Sequence, residues 1–206
     1  MSFDTTLARI AALDTAFTPP AAAQPVAAPA PATAFSASLG QATTGPAAAA
    51  AFGVTPPSAG TSAGQAVLNA VRGEVGQAEQ PPGSNDSPRI AQYRQATAGS
   101  GVGPWCAYFV SWAARQAGAP LGEAGQGFGR VDDVWAWAQR SGKAMPAATA
   151  QPQPGDLIVW DEHIGVVESV DPDGSVHTIE GNSSDSVARR TYGRDGGGAV
   201  GYVRLG

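Results

Sequence analysis

Apolar positions recur at helical spacing through one part of the chain and at alternate positions through the next. Val67, Ala70, Val71, Val75 and Ala78 predict a helix over about 66–78. After the turn sequence PPGSNDSP, Ser87-Pro88 reads as an N-cap followed by a first helical residue, predicting a short helix through Arg94. The segment PWCAYFVSWAARQAG predicts a third helix, with Pro104 and Trp105 in its first positions, running to about Ala117 and closed by Gly118. Its Phe109, Val110, Trp112, Ala113 and Ala117 are core candidates. A fourth, about Asp132 to Arg140, carries Val134, Trp135 and Trp137. From Pro154 the period changes to two. Strands are expected at Asp156–Trp160, His163–Val170, Ser175–Glu180, Ala188–Tyr192 and Val200–Leu205, with a tight turn at Asp171–Gly174. Helices followed by a run of antiparallel strands predict an α+β domain.

The first third of the chain follows neither pattern. No charged residue occurs between Asp14 and Arg72. Ala, Pro, Thr and Ser dominate, as in PPAAAQPVAAPAPATAF, and such residues bury too little surface to offset the entropy of ordering them. Residues 18–63 are therefore expected to be a disordered Ala/Pro-rich linker, and 64–206 the folded domain. Ahead of the linker, residues 1–17 form a short amphipathic segment in which Asp4 could cap a helix with Leu7, Ile10 and Leu13 on one side. Two readings of it stand: a frayed terminus, or a docking peptide that orders on a protein partner.

Charge narrows the function classes. The net charge is −5, and of 12 dispersed basic residues only Arg189 and Arg190 are adjacent, so nucleic acid is not an expected partner. No run of about 18 apolar residues free of proline occurs, so no membrane-spanning helix is expected. The start MSFDTTLARIAALDTAF lacks the basic and apolar regions of a secretory signal peptide. A monomer is expected.

Cys106 is the single cysteine, so its placement reflects packing or reactivity rather than an intramolecular disulfide. A lone cysteine is commonly a small buried hydrophobe. Its position in the first turn of a helix points to reactivity, because the unpaired N–H groups and the positive end of the macrodipole there favour a thiolate. A thiol nucleophile needs an imidazole to move its proton and a polar group to orient the imidazole. His163, at a strand start, suits the first role. Pairing Val170 with Ser175 across the tight turn sets His163 opposite Asn182, with Glu180 diagonally beside it on the same face. Glu180 would stabilise an imidazolium; Asn182 would orient the ring or contact substrate. His177 falls on the other strand face and is assigned a surface role. Trp105, Tyr108 and Trp160 are candidates for lining a substrate groove, with ordinary core aromatics as the alternative.

Three blocks in order, PWCAYFVSW, QPGDLIVWDEHIGVVESV and HTIEGN, resemble the CHAP family of cysteine- and histidine-dependent amidohydrolases and peptidases of bacterial and phage cell-wall lysis. EQPPGSNDSPRIAQYR is similar to the lead-in of actinobacterial members, and the resemblance spans about Gln65 to Gly206. It implies a papain-like fold, N-terminal helices packed on an antiparallel sheet, and cleavage of a peptidoglycan amide bond as an N-acetylmuramoyl-L-alanine amidase or endopeptidase. The family's nucleophile, base, acidic residue and asparagine fall on Cys106, His163, Glu180 and Asn182. NlpC-type relatives show an Asp-Cys-Ser start and a second histidine instead; Trp-Cys-Ala and Glu-Gly-Asn favour CHAP. A wall-binding module without hydrolytic activity, or a thioester acyltransferase, are the alternatives on the same fold. Peptidoglycan as partner implies a site outside the cytoplasmic membrane. FSASLGQA resembles export regions of flagellar rod-associated wall hydrolases, and a phage lysin released through a holin is the other route.

No cofactor is expected. The stretch QATAGSGVGPW, where some CHAP members carry a calcium loop, holds no carboxylate. Two histidines and one cysteine are too few for a convincing zinc site. The glycines of 194–201 lack the strand-to-helix setting of a phosphate loop.

Overall fold

The computed structural model describes residues 59–206. The expectations for the amphipathic segment and for most of the linker lie outside these residues. Among the described residues the order is α1 (Ser62–Arg72), α2 (Pro88–Arg94), α3 (Cys106–Gln116), α4 (Val131–Arg140), then β1 (Ala144–Pro146), β2 (Leu157–Val159), β3 (Ile164–Val170), β4 (Val176–Glu180), β5 (Ala188–Tyr192) and β6 (Gly201–Val203). The domain is α+β. None of these helices is long and apolar enough to cross a membrane.

The first helix starts and stops earlier than its apolar spacing suggests. Thr61 caps it, its Oγ1 accepting from Gly64 N at 2.9 Å, and Gly73 follows its last residue. Val75 and Ala78 keep the helical spacing but lie beyond it. There Ala78 instead makes an isolated antiparallel bridge with Ser186. Ser87 caps α2 as expected, its side chain accepting from Ile90 N at 3.2 Å. Helix α3 ends at Gln116 with Gly118 at φ 71°, a left-handed conformation that glycine adopts without strain.

The strands form one antiparallel sheet in the order β1-β6-β2-β3-β4-β5. Strand β1 was not among the expected ones. It is three residues ending in proline, and only its pairing with β6 identifies it. The β3–β4 pairing also departs from the expected register at the turn: Val170 faces Val176, not Ser175. A bulge between Val167 and Ser169 then shifts the ladder by one, so that Val167 faces Thr178 and Val166 faces Ile179. The expected alignment is thereby restored at the far end, where His163 precedes β3 and Glu180 ends β4.

Helix α3 lies at the centre. Its residues from Cys106 to Ala114 are all buried, and it packs against α1, α2, α4 and β3. The main core joins Leu68, Ile90, Phe109 and Val110 to Leu157, Val166 and Ile179 of the sheet. Ile158, Val167, Val176 and Tyr202 alternate onto the other sheet face and form a smaller cluster with Trp160. At the end of the sheet where β4 finishes, a Cβ on Gly181 would stand 2.6 Å from the Phe109 Cβ. This close approach brings the first turn of α3 to the strand ends that carry the candidate chemistry.

Candidate active site

Cys106 is the first residue of α3, which starts two residues later than expected, because Trp105 is outside helical geometry and serves as the N-cap (φ −115°, ψ 13°). The helix ladder starts with Phe109 N donating to Trp105 O at 2.9 Å, so the N–H groups of Cys106, Ala107 and Tyr108 precede it. The residue is only 4% exposed, yet it lines a cavity of about 450 Å³ together with Pro104, Tyr108, Asp132, Asp161 and Glu162. The thiol is thus covered by protein on most sides and open to one.

His163 sits between Cys106 and Glu180. Its Nε2 lies 2.9 Å from Glu180 Oε2, which leaves Nδ1 for the sulfur. Burial alone would lower the ring's pKa, but hydrogen bonding to Cys106 and Glu180 and the charges on both outweigh it, and the pKa is raised to about 9. The ring is therefore held as an imidazolium at neutral pH. Glu180 is 1% exposed. Burial pushes its carboxyl up, yet the hydrogen bonds from His163, Thr178 and Tyr192 and the imidazolium charge hold it below its ordinary value. A buried carboxylate of this kind survives only with all its oxygens engaged.

Two of its partners were not anticipated. Thr178 Oγ1 donates to Glu180 Oε1 at 2.5 Å, and Tyr192 Oη donates to the same oxygen at 2.9 Å. Thr178 was legible in principle, since i and i+2 on a strand share a face. Tyr192 required the β4–β5 register, in which it faces Val176.

The remaining candidates divide. Trp160 stacks near the histidine, its ring 5.6 Å from that of His163 and 5.0 Å from that of Tyr192, with Nε1 donating to Gly196 O at 2.9 Å. Tyr108 lines the cavity and donates to Gly101 O at 3.2 Å. Trp105 does not line a groove. It is fully buried, stacked on Tyr93, with Nε1 donating to Glu79 Oε1 at 2.9 Å. An indole N–H in a core must find an acceptor, and buried Glu79 supplies it while its other oxygen accepts from Asn85 N at 2.8 Å. Asn182 makes no side-chain hydrogen bond to the ring. It occupies the turn after β4 at φ 59°, half-buried, a backbone setting that asparagine tolerates. His177 lies on the other sheet face, bound to Asp171 Oδ2 at 2.8 Å and Thr191 Oγ1 at 3.0 Å.

A larger cavity, about 700 Å³, lies elsewhere, against Leu68, Pro154 and Val170. Its lining includes no cysteine or histidine, and its charged groups are paired, Glu168 with Arg72 and Arg189. Among the described residues no group of three or more His, Cys, Asp and Glu side chains is arranged to hold a metal ion.

A family model described as the CHAP domain matches residues 97–182, from the lead-in to α3 through Asn182. The chain carries a CHAP domain. The match contains Cys106, His163, Glu180 and Asn182, and stops short of Tyr192. Among solved structures, that of the peptidoglycan hydrolase RipB from Mycobacterium tuberculosis is similar at 16% identity and a TM-score of 0.41, over 87% of this chain and 73% of that one. No curated protein matches.

Proposed function

We propose that this CHAP domain is a peptidoglycan hydrolase that cuts an amide bond of the cell wall by acyl transfer through Cys106. The observation that carries the reading is the placement of His163 with Glu180 on one ring nitrogen and Cys106 within hydrogen-bonding reach of the ring. The Cys106 sulfur adds to the amide carbonyl, and the oxyanion that forms accepts from the Cys106 N–H at the start of α3. The His163 imidazolium gives its proton to the departing amine, leaving a thioester on Cys106. The neutral ring then takes a proton from water, whose oxygen attacks the thioester and releases a carboxylic acid, restoring the Cys106 thiolate beside the His163 imidazolium. Glu180 stabilises the imidazolium at the start and end of each cycle. Tyr108 contacts substrate from the cavity wall, and Asn182 contacts it from the turn after β4. The substrate lies outside the cytoplasmic membrane, and so must the working enzyme.

Digestion of purified peptidoglycan in ¹⁸O-labelled water, followed by mass spectrometry of the soluble fragments, tests the reading. One ¹⁸O in the carboxyl of each new acyl terminus, with a free amine as its counterpart, is expected. The masses also distinguish cleavage at the lactyl–L-alanine bond from cleavage within the stem. Intact peptidoglycan after prolonged incubation, or acyl groups transferred to amines without ¹⁸O, would overturn it.

A further inference from the structure

The carboxylate that holds His163 is itself held. Glu180 divides its two oxygens: Oε2 faces His163, and Oε1 takes both hydroxyls, from Thr178 at 2.5 Å and Tyr192 at 2.9 Å. Thr178 belongs to the same strand as Glu180 and Tyr192 to the neighbouring one, so two elements fix the carboxyl plane together. The Tyr192 ring is braced in turn by Trp160, which also lies beside the His163 ring. We propose that Thr178 and Tyr192 are positioning residues that keep Glu180 ionised and aimed at His163, extending the machinery one strand beyond the family match.

The physical reason is the asymmetry of burial. A carboxylate with 1% exposure has no water to replace a lost donor, so removing a hydroxyl leaves Oε1 short of partners. The group then answers by taking a proton or by rotating, and either change withdraws the anion from His163. A tyrosine suits the position because burial and the neighbouring carboxylate push its own ionisation up to about 12, keeping it a donor at any working pH. The other ionisable groups around the ring leave this logic intact. Cys106 faces it from α3, Asp161 and Glu162 precede it in its own loop, Asp132 and Arg130 stand across the cavity, and Arg190 lies near Tyr192.

The proposal rests on the reading of Cys106, His163 and Glu180 as the catalytic set, and the test separates the two. Tyr192→Phe and Thr178→Val remove one hydroxyl each with little change of shape; Thr178→Ser restores a hydroxyl. NMR titration of the His163 ring gives a readout independent of turnover. In Tyr192→Phe and Thr178→Val the His163 midpoint is expected to fall clearly below about 9. The high-pH limb of kcat/KM on peptidoglycan should move down with it, and the plateau should drop on the order of tenfold. Thr178→Ser should recover both. Unchanged His163 titration and an unchanged pH profile in folded Tyr192→Phe and Thr178→Val would overturn the positioning role alone. Full activity in Cys106→Ala would instead remove the reading beneath it.

Discussion

Gly165 stands across from Glu180, and a Cβ on it would lie 2.6 Å from the Glu180 Cγ. The ladder pairs Val166 with Ile179, so one step further along sets these two side by side on the face that carries the histidine. The missing side chain is what lets the Glu180 carboxyl lie across β3 and reach His163. Gly165→Ala should therefore displace Glu180 while leaving most of the sheet intact. A stability loss of about 1–3 kcal/mol in urea unfolding is expected from the overpacking, with kcat/KM falling more than tenfold. Full activity would show that the carboxylate does not need that space.

The His163 pKa predicts a pH dependence of stability with a definite sign. The ring's folded pKa, about 9, exceeds its ordinary value of 6.5. Its contribution to folding is fully present below about 6.5 and is lost as pH rises through about 9. Glu180 acts oppositely: its lowered pKa gives stability above the ordinary carboxylate range, lost as the solution is acidified through the folded value. Urea midpoints measured across pH should form a plateau with both shoulders. His163→Ala should remove the alkaline shoulder, and persistence of that shoulder would assign it elsewhere.

Glu180→Gln keeps the shape and the donors' geometry but removes the charge. The variant should fold, with His163 titrating at lower pH and turnover reduced roughly 10²-fold. An unchanged rate would reduce Glu180 to a structural residue.

How much of this was legible in the chain depends on what each residue needed to be recognised. The strand period and the short Asp171–Gly174 turn were enough to bring His163 and Glu180 together, even though the assumed pairing at the turn was off by one. The bulge at Glu168, whose carboxylate is drawn to Arg72 and Arg189, repaired the error, and no local pattern announces a bulge of that kind. Trp105 adjoins Cys106 in sequence, which suggests the groove, but its indole lies in the core, the alternative the sequence left open. The indole's true partner, Glu79, sits on a distant loop that no periodicity marks. Strand β1 was hidden for a related reason: three residues acquire a strand identity only from β6 beside them. Asn182 was counted with the ring by register, but the chain has already turned at that residue and its side chain does not bond to the histidine.

That difference is testable. Asn182→Gly keeps the φ 59° turn and deletes the amide. A rise in KM with the His163 titration unaltered is expected if the amide meets substrate. A shifted His163 titration would instead give Asn182 an orienting role.

Trp105→Phe leaves the aromatic packing against Tyr93 largely in place but strips Glu79 Oε1 of its donor. About 1–3 kcal/mol of stability should be lost in denaturant unfolding, and the start of α3 should loosen with it. Unaltered stability would mean that the carboxylate finds another partner.

The proposed chemistry requires a Cys106 sulfur made reactive by the histidine beside it. New amino groups released from purified sacculi, counted for the wild type and for folded Cys106→Ala, test this most directly. Steady release by the wild type and none above background by the variant is expected. Equal release by both would contradict it.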